Sequence, residues 1–106
     1  MELMMERRAF MIHIRPGMEE EYKERHRRVW PEVLEALGRC GVRDYSIFQQ
    51  GTLLFAYMET EGDFQPAFER LHAEPASRRW REYMSDIIIR NDQMGFHFLE
   101  EVFHLD

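Results

Sequence analysis

The chain reads as an α+β fold of β-α-β-β-α-β order, and three observations carry that reading. Short apolar runs stop at turn residues, stretches of helical periodicity lie between them, and a hairpin signal sits at mid-chain. The first run is Ala9–Ile14 (AFMIHI), halted by Pro16-Gly17. The pattern starts at Arg8 or Ala9, so residues 1–7 are expected to form a frayed leader. Met18, Tyr22, Val29, Val33 and Leu37 then fall near one helical stripe. Pro31 interrupts it, which predicts two helical pieces meeting near Val29–Trp30, with Pro31 opening the second and Gly38 or Gly41 ending it.

Val42–Phe48 and Thr52–Glu59 read as strands joined through Gln49-Gln50-Gly51. Gly62-Asp63 supplies a turn and an N-cap for a helix through about Leu71. Pro75 opens a further helix with Trp80, Tyr83 or Met84, and Ile87 on its stripe, and Phe96–Leu105 closes the chain as a strand. This order, with its second helix split in two, is the ferredoxin-like arrangement.

The 106 residues suit a single domain spanning 1–106, and an apolar share of 44% is enough for a core. Fourteen basic against twenty acidic side chains give a net charge of −6, which argues against a nucleic-acid partner and against an anionic membrane surface. The lone Cys40 cannot close an internal disulfide, so a reducing, cytoplasmic location is expected. No run is long and apolar enough for a bilayer span or a signal peptide.

Thr52–Met58 (TLLFAYM) is apolar on both alternating faces. Helices cover one face of a two-layer fold, so the other, carrying Phe55 and Tyr57 or Leu54 and Met58, needs a cover. A second copy is the simplest one, and a homodimer is expected.

His26 is the leading candidate for chemistry. It lies one turn after Tyr22 and interrupts an apolar stripe, and histidine trades protons near neutrality. The plainer alternative is a packed histidine with both ring nitrogens bonded. Tyr45 and Trp80 are ordinary core aromatics taken singly, yet with Tyr22 and His26 they converge from three elements on one cavity. Flat apolar faces with polar edges suit a pyranose ring. Arg25–Arg28, opposed by Glu19–Glu21 and Glu24, reads as a solvated face of ion pairs. His13, His97 and His104 lack a carboxylate partner at ligand spacing, so no metal site is expected. Phosphate-cradling glycine loops, GxSxG and dinucleotide fingerprints are absent.

Glu20-Glu21-Tyr22 with Arg25-His26, Trp30-Pro31-Glu32, Asp44-Tyr45-Ser46-Ile47, Arg79-Trp80 with Tyr83-Met84, and Glu101-Val102-Phe103 together resemble the L-rhamnose mutarotase family, in order and from Arg8 onward. The resemblance implies a dimeric α/β-barrel-like assembly of ferredoxin-like subunits. It implies an isomerase that interconverts the α and β anomers of L-rhamnose without metal or cofactor. By the same resemblance His26 is the proton donor, and Tyr22, Tyr45 and Trp80 contact the sugar. Arg81 departs from the pattern, since the family's best-known form has a second tryptophan there; as a substrate contact it would reach sugar hydroxyls through its fork and alter sugar preference. His104 stands where a tyrosine is often found. A monooxygenase or haem-degrading enzyme of the same fold, and a silent sugar-binding module, are the alternative readings.

Overall fold

The computed structural model describes residues 4–90 and 95–106. Its elements are β1 (Met5–His13), α1 (Glu19–His26), α2 (Pro31–Arg39), β2 (Val42–Gln50), β3 (Leu53–Glu61), α3 (Phe64–Ala73), α4 (Pro75–Tyr83) with a 3₁₀ turn at Met84–Asp86, and β4 (His97–Leu99). The sheet is antiparallel throughout, in the order β2-β3-β1-β4 expected of a ferredoxin-like topology.

Period-two alternation on the central strands decides which side is covered. Phe10, Ile12 and Ile14 of the β1 segment and Leu54, Ala56 and Met58 of β3 are buried beneath the helices. Phe55, between them in sequence, is 41% exposed on the opposite face, where Phe48 and Leu99 also lie. The uncovered side is therefore the one carrying Phe55 and Tyr57.

Both prolines act as the sequence suggests. Trp30 and Glu74 are extended, with ψ of 136° and 132°, and Pro31 and Pro75 open α2 and α4 at their first turns. Gly41, at φ +89°, is the residue that turns the chain out of α2 into β2. The hairpin is tighter than expected: Gln50 pairs with Leu53, so Gly51-Thr52 alone forms the turn. Asp63 occupies the N-cap position of α3 without a side-chain capping bond. Glu6 does that work from β1, its Oε1 accepting the Phe64 N–H at 2.9 Å.

That contact corrects the reading of residues 1–7 as a leader. Met5, Glu6 and Arg7 pair with Glu61, Thr60 and Glu59, extending β1 at its start. Their short, unpatterned sequence carries no strand signal of its own, and the strand forms through its pairing with β3; residues 1–3 lie outside the described ones. The last strand needs correction too. β4 is three residues, not the ten of Phe96–Leu105, and residues 100–106 take no regular form. Continued pairing would set Glu101 opposite Arg7, and there the side chains bind instead, at 2.8 and 3.2 Å. Val102, Phe103 and Leu105 beyond it are about four-fifths exposed.

Arg25 departs from the solvated face predicted for its run. Arg27 and Arg28 side chains are 66% and 84% exposed, whereas that of Arg25 is 12% exposed. Its guanidinium donates to Glu21, to both carboxylate oxygens of Asp86 and to the Tyr83 carbonyl at 2.7 Å, and lies 4.3 Å over the Tyr83 ring. It fastens α1 to the end of α4.

Leu54→Ala, at a fully buried position of a central strand, is expected to lower unfolding free energy in urea by about 2–5 kcal/mol. A change under about 1 kcal/mol would contradict the register described here.

Candidate active site

α1 presents Tyr22 and His26, the candidate pair, through helical spacing. Tyr22 and His26 are one turn apart, and their rings stack at 4.1 Å with planes 23° apart. His26 Nδ1 lies 3.1 Å from the Tyr22 carbonyl oxygen. A carbonyl only accepts, so in the neutral ring Nδ1 carries the hydrogen and Nε2 is left with its lone pair. Burial holds the His26 pKa below the ordinary histidine value, and the carbonyl bond offsets part of that effect. His26 is thus held in its neutral form at pH 7.

Trp80 closes the opposite side, its ring edge-on to His26 at 5.5 Å. Trp30 and Tyr83 support it at 5.0 and 5.5 Å, and Tyr83 is in turn held by Arg25. Tyr45 comes from the sheet. The β2 ladder shifts register between Val42 and Asp44, and this bulge lets Val42 and Tyr45, three apart, both face the helices. Burial pushes the Tyr45 hydroxyl up to about 12 and Tyr22 higher still, with Tyr45 adding to the shift at Tyr22. Both phenols keep their protons at neutral pH and act as neutral hydrogen-bond groups.

Tyr22, His26, Tyr45, Trp80 and Arg81 all line one cavity of about 580 Å³ between the sheet and the helices. The structure thus brings together all five residues singled out from sequence. Arg81 enters from the last turn of α4; its Nη2 donates to the His72 carbonyl at 3.0 Å, and its Nη1 is buried without a partner among the described residues. Its pKa is lowered by burial first, and then by the neighbouring Arg90 and Arg78 charges.

One lining residue escaped the sequence reading. His72 on α3 repeats the arrangement of His26: its Nδ1 is 2.9 Å from the carbonyl of Phe68 one turn earlier, its ring is 4.0 Å from the Phe68 ring, and burial lowers its pKa. The shared signal was an aromatic four residues ahead of a histidine. His13 and His97 stand edge to face at 5.3 Å away from this cavity. No cluster of three or more potential metal ligands is found among the described residues. Among those residues, too, no helix is long and apolar enough to cross a membrane.

Residues 7–105 match the family model described as L-rhamnose mutarotase. An L-rhamnose mutarotase of Phocaeicola vulgatus is 38% identical, covering 96% of this chain and 100% of its own. The crystal structure of an L-rhamnose mutarotase from Formosa agariphila superposes with a TM-score of 0.81 at 34% identity, covering 95% of this chain and 99% of that one. A putative antibiotic biosynthesis monooxygenase from Nitrosomonas europaea superposes at 0.66 with 12% identity over 97% and 95% of the two chains, a likeness of fold alone. With this agreement over nearly its whole length, the chain belongs to the L-rhamnose mutarotase family.

Proposed function

We propose that this chain is a mutarotase, an isomerase that interconverts the α and β anomers of L-rhamnose or a closely related aldose, with His26 carrying the proton. The observation that supports it most is the His26 ring itself: stacked on Tyr22, edge-on to Trp80, and tautomerically fixed with a basic Nε2 in a cavity walled by aromatics.

Ring opening moves one proton over a short path. Nε2 takes the proton of the anomeric hydroxyl and delivers it to the ring oxygen, to which it is geminal at C1. The C1–O1 bond becomes a carbonyl as the C1–ring-oxygen bond breaks, its electron pair staying on the departing oxygen. Rotation about C1–C2 presents the other carbonyl face, and reclosure runs the same transfers backwards. Tyr22 and Tyr45, protonated throughout, position the hydroxyls, Trp80 supplies an apolar wall, and Arg81 contacts the sugar. No nucleophile, metal or cofactor enters.

A homodimer, paired through the open sheet face into a barrel-like assembly, belongs to the same proposal. Phe48, Phe55 and Leu99 on that face, with Val102, Phe103 and Leu105 of the tail, are exposed apolar side chains that a second copy would bury. The continuous core supports a single domain. The unpaired, buried Cys40 supports a cytoplasmic location.

His26→Ala is expected to slow anomer exchange, read by saturation-transfer NMR, by at least about 10²-fold, and His26→Asn nearly as much. Tyr22→Phe should cost less, since the stacked ring remains. Variants that stay folded and exchange at the wild-type rate would refute the assignment. kcat/KM should be flat at neutrality and fall as pH drops through the lowered His26 pKa, because protonation removes the Nε2 lone pair. Stability has the same sign: both His26 and His72 resist protonation when folded, so stability present above about pH 6.5 is lost as pH falls through their lower folded values. A rate that rises on acidification would overturn the base role. Light scattering at micromolar concentration should give twice the 13.0 kDa of one chain; a monomer mass would reject the dimer.

A further inference from the structure

A second histidine of the cavity holds an open acceptor that the proposed proton transfer does not use. His26 comes from α1 and His72 from α3, and both line the same cavity. The His72 ring is fixed in place. Its Nδ1 lies 2.9 Å from the Phe68 carbonyl, and the ring packs 4.0 Å from Phe68 and 5.4 Å from Phe96, at 90° to the latter. Its own carbonyl accepts from Arg81 Nη2 at 3.0 Å. The Phe68 carbonyl only accepts, so Nδ1 carries the hydrogen of the neutral ring and Nε2 keeps its lone pair. Burial first, and then the nearby Arg81 charge, favour that neutral form. Nε2 has no hydrogen-bond partner among the described residues, yet it is not sealed from solvent as Arg81 Nη1 is. It therefore presents an accessible lone pair on the cavity wall.

Side-chain acceptors are scarce in this cavity. Among the described residues that line it there is no carboxylate and no carboxamide. The hydroxyls of Tyr22, Tyr45 and Ser77 donate as well as accept, whereas the Nε2 atoms of His26 and His72 only accept. A pyranose brings several hydroxyl hydrogens into the site, and each one desolvated without an acceptor weakens binding. In the mutarotase reading the anomeric hydroxyl takes His26 Nε2, which leaves His72 Nε2 for another. We infer that His72 is a specificity-determining substrate contact, its Nε2 accepting a hydrogen bond from one secondary hydroxyl of the sugar, at C2, C3 or C4. The inference rests on the mutarotase reading and adds a residue to it. Two histidines in the same tautomer then divide the work: His26 moves the proton and His72 selects the sugar. A neutral sugar meets the requirement, since a lone pair receives a hydroxyl without any charge. An aldose that lacks this hydroxyl, or carries it on the other ring face, forfeits the bond and leaves Nε2 without a partner.

The test measures kcat and KM for anomer exchange by NMR, with uncatalysed exchange subtracted. The panel holds L-rhamnose, its 2-, 3- and 4-deoxy analogues, and L-mannose and L-lyxose, which keep its C2–C4 configuration. In the wild-type chain one deoxy analogue is expected to fall about tenfold behind L-rhamnose in kcat/KM, chiefly through KM, because the contact exists before and during the reaction. His72→Phe keeps a ring against Phe68 and Phe96. It should bring the L-rhamnose-to-analogue ratio for that same analogue towards one and leave the other two ratios unchanged, the signature of a direct coupling. His72→Gln, which returns an acceptor near the Nε2 position, should recover part of the lost ratio. Each ratio is internal to its variant, so a partly destabilised protein still reports it. If L-rhamnose is exchanged and all three ratios are the same in His72→Phe as in the wild type, His72 only packs; the inference is then wrong and the mutarotase reading stands. A nitrogen-15 resonance of His72 Nε2 that saturating L-rhamnose leaves unmoved overturns it on the wild-type chain alone. Exchange of no sugar in the panel overturns the mutarotase reading and this inference with it.

Discussion

The helix that carries Tyr22 and His26 buries only one side chain, Tyr22, so apolar packing alone does not fix where it lies. Its position relative to α4 rests on Arg25, whose guanidinium spans Glu21 on its own helix, the Tyr83 carbonyl at the last residue of α4, and Asp86 just beyond it. Paired this way, the Asp86 carboxyl is held below the usual carboxylate range. Tyr83 is the ring beneath Arg25 and also touches Trp30 and Trp80, so the fastener and the cavity wall share an element. Loss of Arg25 would let His26 drift from Trp80 without touching either residue. A geometry good to within half an ångström needs such support around the reacting groups.

Much of this was legible in the sequence because the signals were local. Pro31 and Pro75 state where helices begin, Gly41 where one ends, and the Tyr22–His26 spacing follows from 3.6 residues per turn. What was not legible depended on partners distant in sequence. Met5–Arg7 became a strand through pairing with Glu59–Glu61, and α3 took its cap from Glu6 instead of Asp63. Arg25 looked like one more charge in a basic run until Asp86 was placed beside it. The tail beyond Leu99 carries strand-like residues yet has no strand to lie on within one chain, since Arg7 meets Glu101 by its side chain. His72 shares the local pattern of His26, an aromatic residue four positions ahead, but that both rings line one cavity follows only from the packing of α1 and α3 against the sheet.

Burial sets the protonation states on which the proposed chemistry depends. It lowers both cavity histidines and raises both cavity tyrosines, so the imidazoles are neutral and the phenols intact at the same pH. One kind of group can then accept a proton while the other holds hydroxyls in place. The same desolvation acts on Arg81, and with the neighbouring Arg90 and Arg78 charges it holds the guanidinium below its usual range. The protonation states of the histidines and tyrosines of the cavity therefore follow from a single cause, their burial between sheet and helices.

The central claim is that His26 rests as a neutral imidazole with its proton on Nδ1 and its base at Nε2. Nitrogen-15 NMR of the histidine rings reads this directly. At pH 7 the account predicts a protonated Nδ1 and an unprotonated Nε2 for His26, a titration midpoint below about 6.5, and a shift of the Nε2 resonance when exchanging sugar is added. A proton on Nε2 at pH 7, or an Nε2 resonance indifferent to saturating sugar, would contradict it.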